Sequence, residues 1–148
     1  MNTPVPPRIV VGVDGSPTAE AALRWAVAQA ELTGAGIDAV MSWRFPVFYG
    51  WDPGLPASDF SGWAEQALTE ALDKVRASGT TVTIRPHVLE GDPALVLLDE
   101  AAGADLLVVG SRGHGGVTSL ALGSVSHHCA QHAECPVVIV RHDAPATA

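Results

Sequence analysis

Short apolar runs alternate with segments of helical period along nearly the whole chain, and no other feature limits the possible folds as sharply. Residues 8–14 read RIVVGVD, a β-branched run suited to a strand covered on both faces. Ser16-Pro17 supplies an N-cap and a first-turn proline. The helix that follows carries Ala19, Ala22, Leu23, Ala26 and Ala30 on one face and stops near Gly34 and Gly36. A second strand spans 37–43, and residues 44–57 form a loop with three prolines, two glycines and four aromatic residues. The next helix, about 59–78, spaces Ala64, Ala67, Leu68, Ala71, Leu72 and Val75 at helical period, and Gly79 ends it. A third strand covers 82–89. Gly91-Asp92-Pro93 then repeats the cap-plus-proline start of a helix that runs to about residue 102. Strand four is 105–109, a helix from Ser124 ends near Glu134, and 136–141 make a fifth strand before a frayed tail.

Strict alternation of buried strands with helices requires right-handed crossovers. It predicts one α/β domain over 1–148: an open, Rossmann-like, five-stranded parallel sheet with helices on both faces. Ligands of such sheets lie at the carboxyl ends of the strands, where strand order reverses. Two strands end in unusual chemistry. Strand one ends in Gly12-Val13-Asp14-Gly15-Ser16, and strand four runs into GSRGHGGVTSLALGS at 110–124. Both loops line one crevice if the strands are neighbours, as the order 3-2-1-4-5 makes them.

Glycines at 110, 113, 115, 116 and 123 remove Cβ atoms from the second loop, so amide groups can close on a ligand. A helix beginning at Ser124 aims unpaired N–H groups and the positive end of its dipole back into that loop. Those are the parts of a phosphate cradle. The plain alternative is a connector, although a structureless loop of this length is uncommon in a compact domain unless it has a function. Asp14 either meets a ribose hydroxyl or a magnesium-bound water, or forms an Asx-turn that caps the next helix. Arg112 either screens a phosphate or is a solvated surface residue.

Bulk properties narrow the partners. At 148 residues the chain can bury roughly two-thirds of its unfolded surface. A net charge of −8 disfavours nucleic acid and anionic membranes, both of which reward a basic face. No apolar run approaches the ~20 residues that cross a bilayer, and MNTPVPPR lacks a signal-peptide pattern; both point to the cytoplasm. Cys129 and Cys135 read as reduced packing thiols, six residues apart across a helix end. Lys74 is the only lysine and sits mid-helix, so a Walker A loop, a kinase or a receiver domain lacks its required residue.

At these residues the chain resembles the universal stress protein family over nearly its whole length. Nucleotide-binding members carry Gly-two-any-Gly-nine-any-Gly-Ser/Thr after strand four, which falls here on Gly110, Gly113, Gly123 and Ser124. Asp14 matches their aspartate after strand one, and CPVVIV at 135–140 matches their last strand. The resemblance implies ATP, with its triphosphate in the glycine loop and Mg2+ or Mn2+ on the phosphates. The implied contact set is Gly12, Val13 and Asp14, then Ser42 and Trp43 at the adenine, then Gly110, Arg112, Gly113, Gly123, Ser124 and Val125. Met41 and Ser42 stand where members usually carry a histidine and a small aliphatic residue. Members also pair through the last strand, so the resemblance implies a homodimer through 136–141. An all-apolar edge there calls for cover on physical grounds as well.

Sharper readings compete at two places. His128 and His132 are a usable zinc pair at i, i+4, but no further ligands converge with them, and an exposed polar face is the simpler account. Phe45, Phe48, Tyr49 and Trp51 form either a lid over the crevice or a partner patch, or pack on the helix that carries Trp63. The chain shows no nucleophile–base pair and no carboxylate cluster. The expected function is an ATP-binding regulator of the stress response with at most slow hydrolysis. The alternatives are a true ATPase or phosphotransferase and a nucleotide-free dimeric interaction protein.

Overall fold

A computed structural model of the chain describes residues 5–44, 57–111 and 122–141. In chain order the elements are β1 (Arg8–Gly12), α1 (Pro17–Thr33), β2 (Gly36–Trp43), α2 (Ala57–Arg76), β3 (Ile84–Glu90), α3 (Pro93–Glu100), β4 (Leu106–Gly110), α4 (Ser124–His132) and β5 (Val137–Val140). All strand pairs are parallel and the order is β3-β2-β1-β4-β5. The reversal of strand order therefore falls between β1 and β4, where Ile9 faces Leu106 and Val11 faces Val108.

The inner strands β1, β2 and β4 are largely apolar on both sides because each side is roofed by helices. On one side Ile9, Val11, Ile37, Ala39 and Met41 pack against Ala22, Leu23 and Ala26 of α1 and Leu68 and Leu72 of α2. On the other, Val10, Val40, Leu107 and Val109 pack against Leu97 of α3 and Cys129 of α4. The two capped helix starts form as their sequences demand. Ser16 accepts from the Ala19 amide (3.2 Å) and Asp92 from the Leu95 amide (3.2 Å), and a proline follows each cap. Helix α1 ends where Gly34 turns left-handed (φ 77°) and returns its N–H to the Ala30 carbonyl.

Element ends differ from the sequence expectation by a residue or two. β1 stops at Gly12 rather than Asp14, because after Val13 the chain turns through Gly15 (φ 82°). α3 stops at Glu100 because residues 101–103 tighten into a turn. β3 starts at Ile84 and β5 is confined to Val137–Val140.

Among the described residues, one charged side chain is buried in the sheet. Asp38, whose side chain is 7% exposed, accepts from Arg85 Nε (2.8 Å), His87 Nε2 (3.0 Å) and Arg8 Nη1 (3.1 Å). Arg8 also donates to the carbonyls of Glu100 and Ala102, so the network ties β1, β2, β3 and the end of α3 together. Burial works against the charged carboxylate, but hydrogen bonds from Arg85, His87 and Arg8 outweigh it and hold the pKa at about 2. Among the described residues, no helix is long and apolar enough to cross a membrane.

Candidate functional site

The carboxyl ends of β1, β2 and β4 and the start of α4 meet at one end of the sheet. Gly12 closes β1. A Cβ there would lie 2.9 Å from a Leu97 methyl, so the glycine lets α3 pack closely. The buried Val13 continues the ladder by one bond, its N–H donating to the Val40 carbonyl (2.9 Å). Asp14 is exposed, and its Oδ1 accepts from both the backbone N–H (2.9 Å) and the hydroxyl of Ser16. The Asx-turn is therefore formed, and it occupies one carboxylate oxygen.

Gly110 joins the two candidate loops. A Cβ at this position would stand 2.5 Å from Thr18 Oγ1, 2.7 Å from the Thr18 carbonyl carbon and 2.8 Å from the Ala19 nitrogen. Only a residue without a side chain lets the end of β4 pass so close to the first turn of α1. The glycine that reads as part of a phosphate loop thus has a packing role as well.

Beyond Gly110 lies a knot of main-chain bonds. The Ser111 N–H donates to the Val140 carbonyl (2.8 Å) and its hydroxyl to the Arg141 carbonyl (3.0 Å). The Ser111 carbonyl accepts from the Gly123 N–H (2.6 Å) and from the Ser126 hydroxyl (2.9 Å). Gly123 is the N-cap of α4 and provides no side-chain cap, so among the described residues no cap side chain takes up the amides of Ser124 and Val125 at the start of the helix. The Gly123 amide itself is committed to Ser111. Ser124 is exposed, whereas Val125 packs against the α3–α4 side of the core.

At the end of β2, Ser42 faces Leu89 and Trp43 faces Glu90 across the ladder. The Trp43 carbonyl accepts from the Gly91 N–H (2.9 Å), and its indole packs against the α1–α2 side of the core. Arg44 pairs with Asp92 (3.0 Å) just beyond. Arg112, Gly113 and the aromatic residues of 45–51 lie outside the described residues.

Other chemistry lies apart from this end. Lys74 is exposed and pairs with Glu20 (2.9 Å). Burial raises the pKa of both thiols, Cys129 to about 11, so both are protonated at neutral pH. The His128 and His132 rings sit 4.6 Å apart, but among the described residues no group of three potential metal ligands gathers. A cavity of about 620 Å³ opens at the opposite pole, lined by Arg8, Gly36, Thr83, Arg85 and Asp105 among others. Sequence reasoning missed Ser111 and Ser126. The available signal was a small polar residue directly after an apolar strand and another in the first turn of the next helix, both at positions that become buried.

The universal stress protein family model matches residues 7–141. The chain belongs to this family. A universal stress protein of Mycobacterium tuberculosis is 37% identical over 133 residues, covering 90% of this chain and 45% of that protein. This chain therefore spans less than half of that mycobacterial relative. A universal stress protein of Thermus aquaticus is 38% identical over 144 residues, covering 90% of this chain and 97% of that protein. Among solved structures, a universal stress protein in complex with cAMP superposes with a TM-score of 0.72 at 28% identity, over 93% of this chain and 98% of that one. The universal stress protein of Archaeoglobus fulgidus in complex with dAMP superposes with a TM-score of 0.69 at 26% identity, over 91% and 98%.

Proposed function

We propose that this universal stress protein binds ATP at the strand-reversal end of the sheet and acts as a cytoplasmic regulator whose output follows its nucleotide state. One observation carries the reading. The two ends of the family's glycine motif, Gly110 and Gly123-Ser124, are drawn together through Ser111 beside the first turn of α1, whose cap Ser16 is held by Asp14. Adenine nucleotides occupy the two related structures bound to cAMP and dAMP, which supports an adenine ligand here.

In this reading the phosphates meet amides rather than an ammonium group, from Ser124 and Val125 at the positive end of α4 and from the sequence around Arg112 and Gly113. Gly12, Val13 and Asp14 line the ribose side, and the backbone of Ser42 and Trp43 borders the base. A divalent ion fits only in part. Asp14 can offer its second carboxylate oxygen, and the other ligands must come from the phosphates and water, a habit of Mg2+. Such an ion would neutralise phosphate charge. Hydrolysis, if it occurs, runs through a water oriented by Asp14 and is slow. The outer edge of β5, which no described strand pairs, pairs with its counterpart in a second copy.

Mass spectrometry of the small molecule released on denaturing the purified protein tests the ligand. An adenine nucleotide is expected. Asp14→Ala and Gly113→Val should each lose ATP binding in calorimetry while keeping the far-UV spectrum. Unchanged affinity in both variants rejects the site. Multiple-turnover phosphate release that disappears in Asp14→Ala would assign an ATPase instead.

A further inference from the structure

Ser111 follows β4 and Gly123 caps α4, and among the described residues the bonds across this neck go to main-chain atoms. Among the described residues, Ser126 is the side chain that closes it. Its hydroxyl lies 2.9 Å from the Ser111 carbonyl oxygen and 3.0 Å from that of Gly123, and the residue is 1% exposed. A hydroxyl has a single proton to donate, so that proton is shared between the two carbonyls, one on each side of the neck. Cys129, one turn on, shows that this side of α4 faces the apolar α3–α4 core. A serine amid such packing, bonded across fifteen residues, is doing more than filling volume.

We infer that Ser126 is a positioning residue for nucleotide binding, holding the two ends of the glycine motif at a fixed separation. The inference rests on the nucleotide reading above. Ser126 touches no phosphate. Its effect passes through the Ser111 and Gly123 carbonyls to the chain on either side, and so to the orientation of the Ser124 and Val125 amides. Without the hydroxyl, Ser111 still accepts from the Gly123 amide, so no buried donor is orphaned and the fold survives. The loss falls on geometry: the neck widens, and binding must then restore the order that the hydroxyl maintains.

The test compares Ser126→Ala, Ser126→Cys and Asp38→Asn with the parent protein, using calorimetric titration with ATP and magnesium. Cysteine nearly keeps the volume but donates weakly. Asp38→Asn destabilises the sheet through a network in which no residue of the proposed site takes part. Both Ser126 variants should bind ATP roughly tenfold more weakly, the size expected for one hydrogen bond. In both, the Gly123 amide should exchange with deuterium faster. Asp38→Asn should lower the melting temperature at least as much and leave ATP affinity within about twofold. If Ser126→Cys binds ATP like the parent, the positioning role is overturned while the nucleotide reading stands. Equal weakening in Asp38→Asn also overturns it, because general destabilisation would then explain the effect. A parent protein that binds no ATP removes the functional reading and this inference with it.

Discussion

Asp38 shows how one residue departs from its sequence context for a reason that only neighbours supply. In RIVVGVD and IDAVMSW the apolar pattern marks buried strands, and an aspartate in the second run reads as an interruption. In the fold, Arg8, Arg85 and His87 converge on it and make it a structural anion. Its folded pKa of about 2 lies below the ordinary 3.8, so the carboxylate is worth about 2 kcal/mol of stability. The lowered value sets the sign. The contribution is fully present above about pH 4 and disappears as the pH falls through 2. Urea unfolding should therefore show Asp38→Asn about 2–3 kcal/mol less stable at pH 6, with the gap narrowing near pH 2.5. A gap that does not change with pH would remove the charge from the explanation. Gly110 is legible from sequence as a loop glycine, but its contact with Thr18 and Ala19 is not. Because a Cβ there would strike backbone atoms, Gly110→Ala should cost about 1–3 kcal/mol and displace the first turn of α1. The melting temperature measures the first effect, and a weaker ATP affinity would report the second.

Elements were readable where one periodicity dominated. Alanines at helical spacing predict the buried face of α1, and Ala19, Ala22, Leu23, Ala26 and Ala30 are all buried. In α2, Leu68, Leu72 and Val75 are buried, and Ala67 packs at the margin of the core. Element ends were less legible because hydrogen-bond geometry sets them. Val13 still donates to Val40 although β1 has formally ended. β5 pairs only with β4, and its outer edge carries main-chain groups that no described strand satisfies. Its valines and Ile139 are half-buried, with Val138 and Val140 toward one side of the core and Val137 and Ile139 toward the other. A lysine at Ile139 puts a charge at this edge, a common means of preventing strand pairing. Ile139→Lys should therefore convert a dimer to a monomer in light scattering with only a modest loss of helix content. A parent protein that is already monomeric at micromolar concentration would reject the strand-paired dimer.

At the scale of the whole molecule, the proposed ATP site belongs to an acidic chain whose only lysine lies elsewhere, so a polyphosphate there would be neutralised chiefly by groups other than an ammonium. In that proposal amides and the α4 dipole would supply part of this, and a divalent ion carried in on the phosphates would supply the rest. Chelating magnesium should thus weaken ATP binding several-fold while leaving AMP binding nearly unchanged. Equal loss for both would place the ion on the protein. Saturating ATP should also raise the melting temperature in proportion to the logarithm of its excess over Kd. The amino-acid sequence alone determined the alternation of strands and helices and the caps at Ser16 and Asp92, and the unusual ends of strands one and four pointed to the strand order that the fold has. These follow from local periodicity, turn chemistry and the handedness of crossovers, which short stretches of chain encode. Only the tertiary structure decided that Gly110 is also a packing glycine, that the Gly123 amide is committed to Ser111, that Ser126 closes the neck, and that Asp38 anchors three strands. Each of these depends on atoms far apart in sequence being brought within about 3 Å, and no local pattern records which distant partner will arrive.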